Sequence, residues 1–177
     1  MTTGEAFDST AFLAAAARDG GEGAVALFQR LFEGARTAGM HIDPGAGATP
    51  AVVGWCVLDG VPSIAWVAMT RGASGVPCVE VFVADLYARA AVPPFDEVVQ
   101  ALHAIPVVRH SLDAAHAAGV SVRSVTVEVA DLVADAEQAA QLLDVFDRLA
   151  AASAGTYATF RSVIGAYEWG ERGEHGS

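Results

Sequence analysis

The chain has 177 residues, a formal net charge of −11 and a hydrophobic content of 53%. This length fits one domain with a substantial core, whereas the longest charge-free stretch, 44–58, is too short and too interrupted by Pro and Gly to span a membrane. Carboxylates outnumber cations 21 to 10 without any basic run, which argues against binding to nucleic acids or to anionic membrane surfaces.

Several residue types are missing or rare. The chain has no Lys and no Asn, so all 10 cations are Arg, and this excludes a lysine Schiff base and a phosphate-binding loop ending in GK[ST]. Cys56 and Cys78 form no CxxC motif and are expected to be small buried hydrophobes. No cofactor and no metal site is predicted. Abundant Ala, Arg, Gly and Val favour a GC-rich bacterial genome.

The N-terminal part of the chain predicts two helices after a disordered segment at 1–9. This segment lacks the basic and apolar regions of a secretory signal, so we expect a cytoplasmic protein. The first helix runs from a cap at Ser9 to Arg18 and stops at the cluster 19–21. The second helix covers 22–38, where apolar residues recur every three or four positions. Residues 41–50 are rich in Gly and Pro and are predicted to form a loop.

A three-strand antiparallel meander is predicted at about 51–86. Its first two strands, 51–58 and 63–71, are separated by Asp59-Gly60, a dipeptide typical of a two-residue hairpin turn. After a turn at 72–77, the third strand covers 78–86.

The C-terminal part predicts a further strand between helices. A helix begins after Pro93-Pro94, breaks at Pro106 and resumes to Ala118. A fourth strand covers 121–129, and a long helix capped by Asp131 or Asp135 reaches Ala152. Residues 156–169 fit a strand and a helix equally well, and 170–177 are expected to be disordered.

The order of these elements predicts an α+β fold. A single domain at 10–169 would contain an antiparallel sheet of four or five strands, packed against N-terminal, central and C-terminal helices.

The predicted hairpin is apolar on both faces. Closure at Asp59-Gly60 places Trp55 opposite Ile64 and Val53 opposite Trp66, so that both tryptophans share one face. Helices of the same chain, a subunit or partner protein, or a ligand could cover this face. Tryptophan is favoured at protein interfaces, and the predicted interface or ligand residues are Trp55, Trp66, Val53, Ile64 and Phe82.

The third and fourth strands differ from this hairpin because each has a face of mixed polarity, which carries Glu80 or Glu128. Two exposed glutamates of this kind are common on sheets, and we expect no catalytic pair from them.

The densest polar cluster is predicted on a helix at 109–116. Asp113 lies three residues from both His110 and His116, so its carboxylate could orient either imidazole for acid–base chemistry. The alternative is a solvated helix face with an Arg109–Asp113 ion pair. Metal binding needs three or four converging ligands, and no such spacing is present.

A mean hydropathy of +0.39 indicates more apolar surface than one small core requires, and a subunit interface or a cavity can absorb it. The sequence therefore favours a non-catalytic, acidic interaction or adaptor protein that forms a homodimer or binds a protein partner through its aromatic sheet face. The alternative is a small-molecule-binding protein or enzyme, with a pocket between sheet and helices and the His110, Asp113 and His116 cluster nearby.

Overall fold

A computed structural model describes residues 9–45, 49–58, 60–119 and 121–153. In these ranges a five-stranded antiparallel sheet and six helices form an α+β fold, which confirms the predicted class. The predictions for residues 1–8, 156–169 and 170–177 lie outside the described residues.

The strands neighbour one another in the order in which they occur along the chain. The helices are α1 (Thr10–Thr37), α2 (Ala84–Tyr87), α3 (Phe95–Ala104), α4 (Pro106–Ala117), α5 (Val129–Ala134) and α6 (Ala136–Ala152). The strands are β1 (His41–Pro44), β2 (Ala51–Leu58), β3 (Val61–Met69), β4 (Cys78–Phe82) and β5 (Ser124–Glu128). Each strand is antiparallel to the next.

Helix α1 contains the two predicted N-terminal helices joined at a kink. Gly21 has φ +72° and ψ −169°, a backbone conformation that glycine adopts far more readily than other residues. The helical geometry is therefore interrupted at the predicted boundary. Ser9 occupies the predicted N-cap position, but its side chain makes no capping hydrogen bond.

Two strand predictions also need correction. Residues 41–44 form β1 instead of a loop, and His41 pairs with Trp55. The third predicted strand ends at Phe82, because the backbone N–H groups of Val83 and Ala84 both donate to the carbonyl oxygen of Arg123. This bifurcated contact ends the ladder, and the chain turns into α2.

The predicted helix boundaries in the second half of the chain are largely confirmed. Helix α3 ends before Ile105, and Pro106 begins α4. Of the two predicted caps for the last helix, Asp135 is the one used: its Oδ1 accepts from the backbone N–H groups of Glu137 and Gln138, each at 3.1 Å. Gln138 Nε2 also donates a 2.8 Å hydrogen bond to Asp135 Oδ2, and this side-chain contact, followed by the backbone hydrogen bonds, lowers the pKa of Asp135.

One hydrophobic cluster joins all six helices to one face of the sheet, which we call the inner face. Every helix contributes buried side chains to this cluster, among them Phe28, Leu86, Leu102, Val108, Leu132 and Phe146. The inner face contributes Val52, Trp66, Ala68, Val79, Val81, Val125 and Val127. Burial of each valine in this set stabilises the fold by about 1.5–3 kcal/mol relative to exposure. We call the opposite side of the sheet the outer face.

Candidate functional site

A β-bulge separates the two hairpin tryptophans. Ala65 has no partner on β2, so Trp66 pairs with Gly54 and not, as predicted, with Val53. Because side chains alternate along a strand, one extra residue reverses the direction of those that follow. The prediction that Trp66 shares a face with Trp55 is therefore wrong: Trp66 lies on the inner face and Trp55 on the outer face.

Trp66 is a core residue covered by helices of its own chain. Its side chain is 0% exposed. The indole stacks on Phe32 of α1 with 6.2 Å between ring centroids, and Phe146 of α6 approaches to 6.1 Å. Gly54 makes this position available, since a Cβ atom there would overlap the indole.

The outer face keeps the other four residues of the predicted patch. Trp55 pairs with Ile64 as expected. Six large apolar side chains of this face are partly exposed, and they are Val53, Trp55, Ile64, Val67, Met69 and Phe82, whereas Val57 and Cys78 of the same face are buried. None of the six belongs to the hydrophobic cluster formed by the described helices. The sheet therefore has an apolar surface that is separate from its core.

Polar groups border this surface on the β4–β5 side. Glu80 lies between Val67 of β3 and Thr126 of β5 in the strand pairing. The hydroxyl of Ser124 donates a hydrogen bond to the Glu80 carboxylate. Glu128 of β5 lies on the same face and pairs with Cys78 of β4. The outer face is therefore apolar across β2 and β3 and acidic toward β5.

A second polar group borders the surface at β1. His41 Nε2 and Asp43 Oδ2 are 2.6 Å apart, and the His41 side chain is only 15% exposed. The sequence pattern does not predict this pair, because residues 41–50 are rich in Gly and Pro and favour a loop. The available signal was the spacing itself, since residues two apart on a strand point to the same face.

A cavity of about 660 Å³ lies between α1 and α6. Apolar side chains from both helices and from β3 line it, namely Leu31, Ala35, Trp66, Leu143 and Phe146. Its charged residues are Arg30, Glu33, Asp144 and Asp147. A volume of this size is typical of small-molecule sites. Leu31, Trp66 and Phe146 are themselves buried, whereas the four charged side chains are exposed, so the cavity presents mainly acidic groups to solvent.

The predicted acid–base residues do not lie at this cavity. His110, Asp113 and His116 are exposed on α4, and none of them lines the cavity. Within the described ranges no hydrogen bond or salt bridge connects the three, and the predicted Arg109–Asp113 ion pair is not formed either. The helical spacing alone did not bring these groups into contact.

Another histidine does have a partner. His103 of α3 forms a 2.7 Å hydrogen bond with the hydroxyl of Tyr87, and the two rings meet edge to face at 5.5 Å. Burial raises the pKa of Tyr87. The pair joins α2 to α3 at the surface.

Both cysteines are buried, as expected. Burial raises the pKa of Cys56 from 9.0 to about 12. The pKa of Cys78 rises to about 11, first through burial and then through the nearby carboxylates of Glu80 and Glu128. The thiolate is the reactive form of cysteine, so neither side chain is an activated nucleophile at neutral pH.

The described residues contain no group of three or more His, Cys, Asp or Glu side chains placed to hold a metal ion. Across the same ranges, no helix combines the length and the apolar character needed to cross a membrane. Comparison of the chain with protein-family models, curated proteins and solved structures finds no match. The outer face and the cavity are therefore the two surfaces from which a function can be inferred.

Proposed function

We propose that the protein is a non-catalytic interaction protein that associates with a second copy of itself through the outer face of its sheet. One observation supports this proposal above the others. All described helices join the inner face in one cluster, and the six apolar side chains of the outer face remain outside that cluster. Apolar surface of this kind gains free energy when a partner removes it from water.

The distribution of polarity on the outer face supports a protein partner. Val53 and Val67 form its centre, while Glu80 and Thr126 lie to one side and Asp43 to the other. An apolar centre with a polar margin is the usual anatomy of a protein–protein interface.

A second copy is the partner that this pattern fits best. In a two-fold dimer the same surface meets itself, so the valine-rich centres can pack together while Glu80 and Glu128 remain at the periphery, in contact with water. Each chain carries a net charge of −11, so the two copies repel each other at long range. Because salt screens this repulsion, we expect association to strengthen as the salt concentration rises.

Val67→Arg tests this interface. Val67 pairs directly with Glu80, so the new guanidinium can pair with that carboxylate and leave the fold intact, while its charge blocks apolar contact with a second copy. We expect the wild-type chain to behave as a dimer of 18.2 kDa subunits and Val67→Arg to be monomeric. Light scattering coupled to size-exclusion chromatography measures both masses.

Thr126→Arg is the matched control. Thr126 is exposed and lies on the other side of Glu80, so it offers the same new ion pair outside the apolar centre. This variant is expected to remain dimeric, and circular dichroism verifies that both variants fold. A wild-type chain that is monomeric at all concentrations and salt strengths would show that the proposal is wrong.

A further inference from the structure

We propose that the free edge of β5 binds an extended segment of another protein, in which basic side chains alternate with apolar ones. Strand β5 lies at the end of the sheet and, among the described strands, pairs with β4 alone. The apolar centre of the outer face lies on β2 and β3, so this inference does not rest on the proposed self-association.

The hydrogen-bond pattern of β5 identifies the backbone groups that point away from the sheet. In an antiparallel pair, alternate residues bond to the neighbouring strand, and the residues between them point the other way. The N–H of Val83 donates to the carbonyl oxygen of Arg123 at 3.0 Å, and the N–H of Val129 donates to that of Pro77 at 2.9 Å. The odd-numbered residues of β5 therefore bond to β4. The residues whose N–H and C=O groups point away, which we call the edge residues, are Ser124, Thr126 and Glu128.

The described part of the chain leaves these backbone groups unused. Outside the strand ladders, none of the backbone hydrogen bonds between described residues involves an edge residue. Thr126 is exposed, and Ser124 and Glu128 are partly exposed. A row of unpaired donors and acceptors at the edge of a sheet is a template for an added strand.

The opposite edge of the sheet is less suited to strand addition. Gly45 N–H donates to the carbonyl oxygen of Ala51, so the same alternation makes Ile42 and Pro44 of β1 point away from β2. Pro44 has no N–H group, and proline on an edge strand protects it from pairing with another chain. Strand β5 contains no proline, and its pairing with β4 is regular. We therefore expect strand addition at β5.

The side chains around this edge determine the chemistry of the bound segment. Paired residues of neighbouring strands share a face, so the segment residues opposite the edge residues lie on the outer face, near the carboxylates of Glu80 and Glu128. Basic side chains complement these charges. The segment residues between them lie on the inner face beside Val125 and Val127, which are buried, so apolar side chains fit there. A second copy is a poorer partner for this edge, because it would add its own carboxylates and a net charge of −11.

Three peptides with blocked ends test this chemistry. The peptide KVKVKVK has the proposed alternation, EVEVEVE reverses its charge, and KKKKVVV has the same composition without the alternation. Fluorescence anisotropy of labelled peptides with the full chain is expected to show binding of KVKVKVK and loss of binding for the other two. Glu80→Gln and Glu128→Gln are each expected to weaken KVKVKVK binding about three-fold, as for other exposed charge pairs.

Thr126→Pro tests the location without changing the charge of the chain. The N–H of Thr126 points away from β4, so proline removes no ladder hydrogen bond, and edge strands tolerate proline in this orientation. The loss of this donor leaves a peptide carbonyl group unpaired and is expected to weaken KVKVKVK binding about ten-fold. Thr126→Ala keeps the N–H and is the matched control, which is expected to bind like the wild type. Circular dichroism verifies that both variants fold.

The same titration of Val67→Arg separates this inference from self-association. Val67 lies on β3, away from the β5 edge, so this variant is expected to bind KVKVKVK whether or not the outer face forms a dimer. The proposal is overturned if KVKVKVK does not bind, if either other peptide binds as tightly, or if Thr126→Pro binds like the wild type. Dimers of Val67→Arg that Thr126→Pro abolishes would also overturn it, because a second copy would then occupy the edge.

Discussion

The inner and outer faces of the β2–β3 hairpin are built from the same two strands, and both are apolar, yet their surroundings differ. On the inner face, Trp66 is fully buried between Gly54, Phe32 and Phe146. On the outer face, Trp55 is partly exposed and lies outside the helical cluster. Hydrophobicity alone therefore does not mark a core position. The close fit of helix side chains onto one face, which a single bulge residue makes possible, distinguishes the two.

The largest loss of stability is expected from a substitution on the inner face. Trp66→Ala removes a fully buried aromatic side chain and leaves a cavity, so we expect the free energy of unfolding to fall by about 3–5 kcal/mol. Trp55→Ala is the matched change on the outer face and is expected to cost less, because that side chain is partly exposed in the native state. Urea denaturation measures both values. Equal losses would contradict the distinction between the two faces.

A smaller effect is expected at Gly54. A Cβ atom at this position overlaps the Trp66 indole, so Gly54→Ala forces the ring or the strand to move, at a cost of about 1–3 kcal/mol. Gly34→Ala is the control: on helix α1 the new Cβ atom meets Asp147 at 3.6 Å, an ordinary contact, and the change is expected to stabilise the helix by about 0.5–1 kcal/mol. Thermal unfolding of both variants tests these opposite signs.

The smallest effect compares one cysteine on each face. The folded-state pKa of Cys56 is about 12 and that of Cys78 about 11, both above the ordinary value of 9.0. Because each folded pKa is raised, the contribution is fully present below pH 9 and is lost as the pH rises toward the folded value. At pH 10 each thiol is expected to have lost about 1 kcal/mol of its contribution.

Cys56→Ala and Cys78→Ala separate these two contributions. Each variant should lose stability less steeply than the wild type between pH 9 and 10, and the two should differ only near pH 11, where folded Cys78 begins to ionise. Urea titrations across this range provide the measurement. A wild-type slope in both variants would contradict the burial argument.

Local patterns in the sequence predicted much of this fold. Apolar periodicity located the helices, and Gly21, Gly60 and Pro106 marked their ends or turns because their backbone preferences are local properties. The bulge at Ala65 was not predictable in this way, since an alanine in a strand carries no signal for an extra residue. Strand β1 was not predicted for a related reason. Its pairing with β2, more than the propensities of its own residues, makes it a strand.

The residues of the candidate sites also fall into those that a local pattern predicts and those that it does not. Four outer-face residues, Trp55, Val53, Ile64 and Phe82, followed from strand alternation. The position of Trp66 did not, because it depends on the bulge. The cavity depends on the tertiary contact of α1 with α6, and no local pattern in the sequence brings these two helices together.

The order of strands has a consequence for biosynthesis. Neighbours in the sheet are neighbours along the chain, so β1 to β4 can associate as soon as the ribosome has released Phe82. Phe32 is then present to stack on Trp66, but Phe146 is not synthesised until α6. A nascent chain that has not reached α6 therefore exposes part of an indole that is later enclosed, and such transient apolar surface promotes aggregation and chaperone binding. Translation speed between β5 and α6 sets how long this stage lasts.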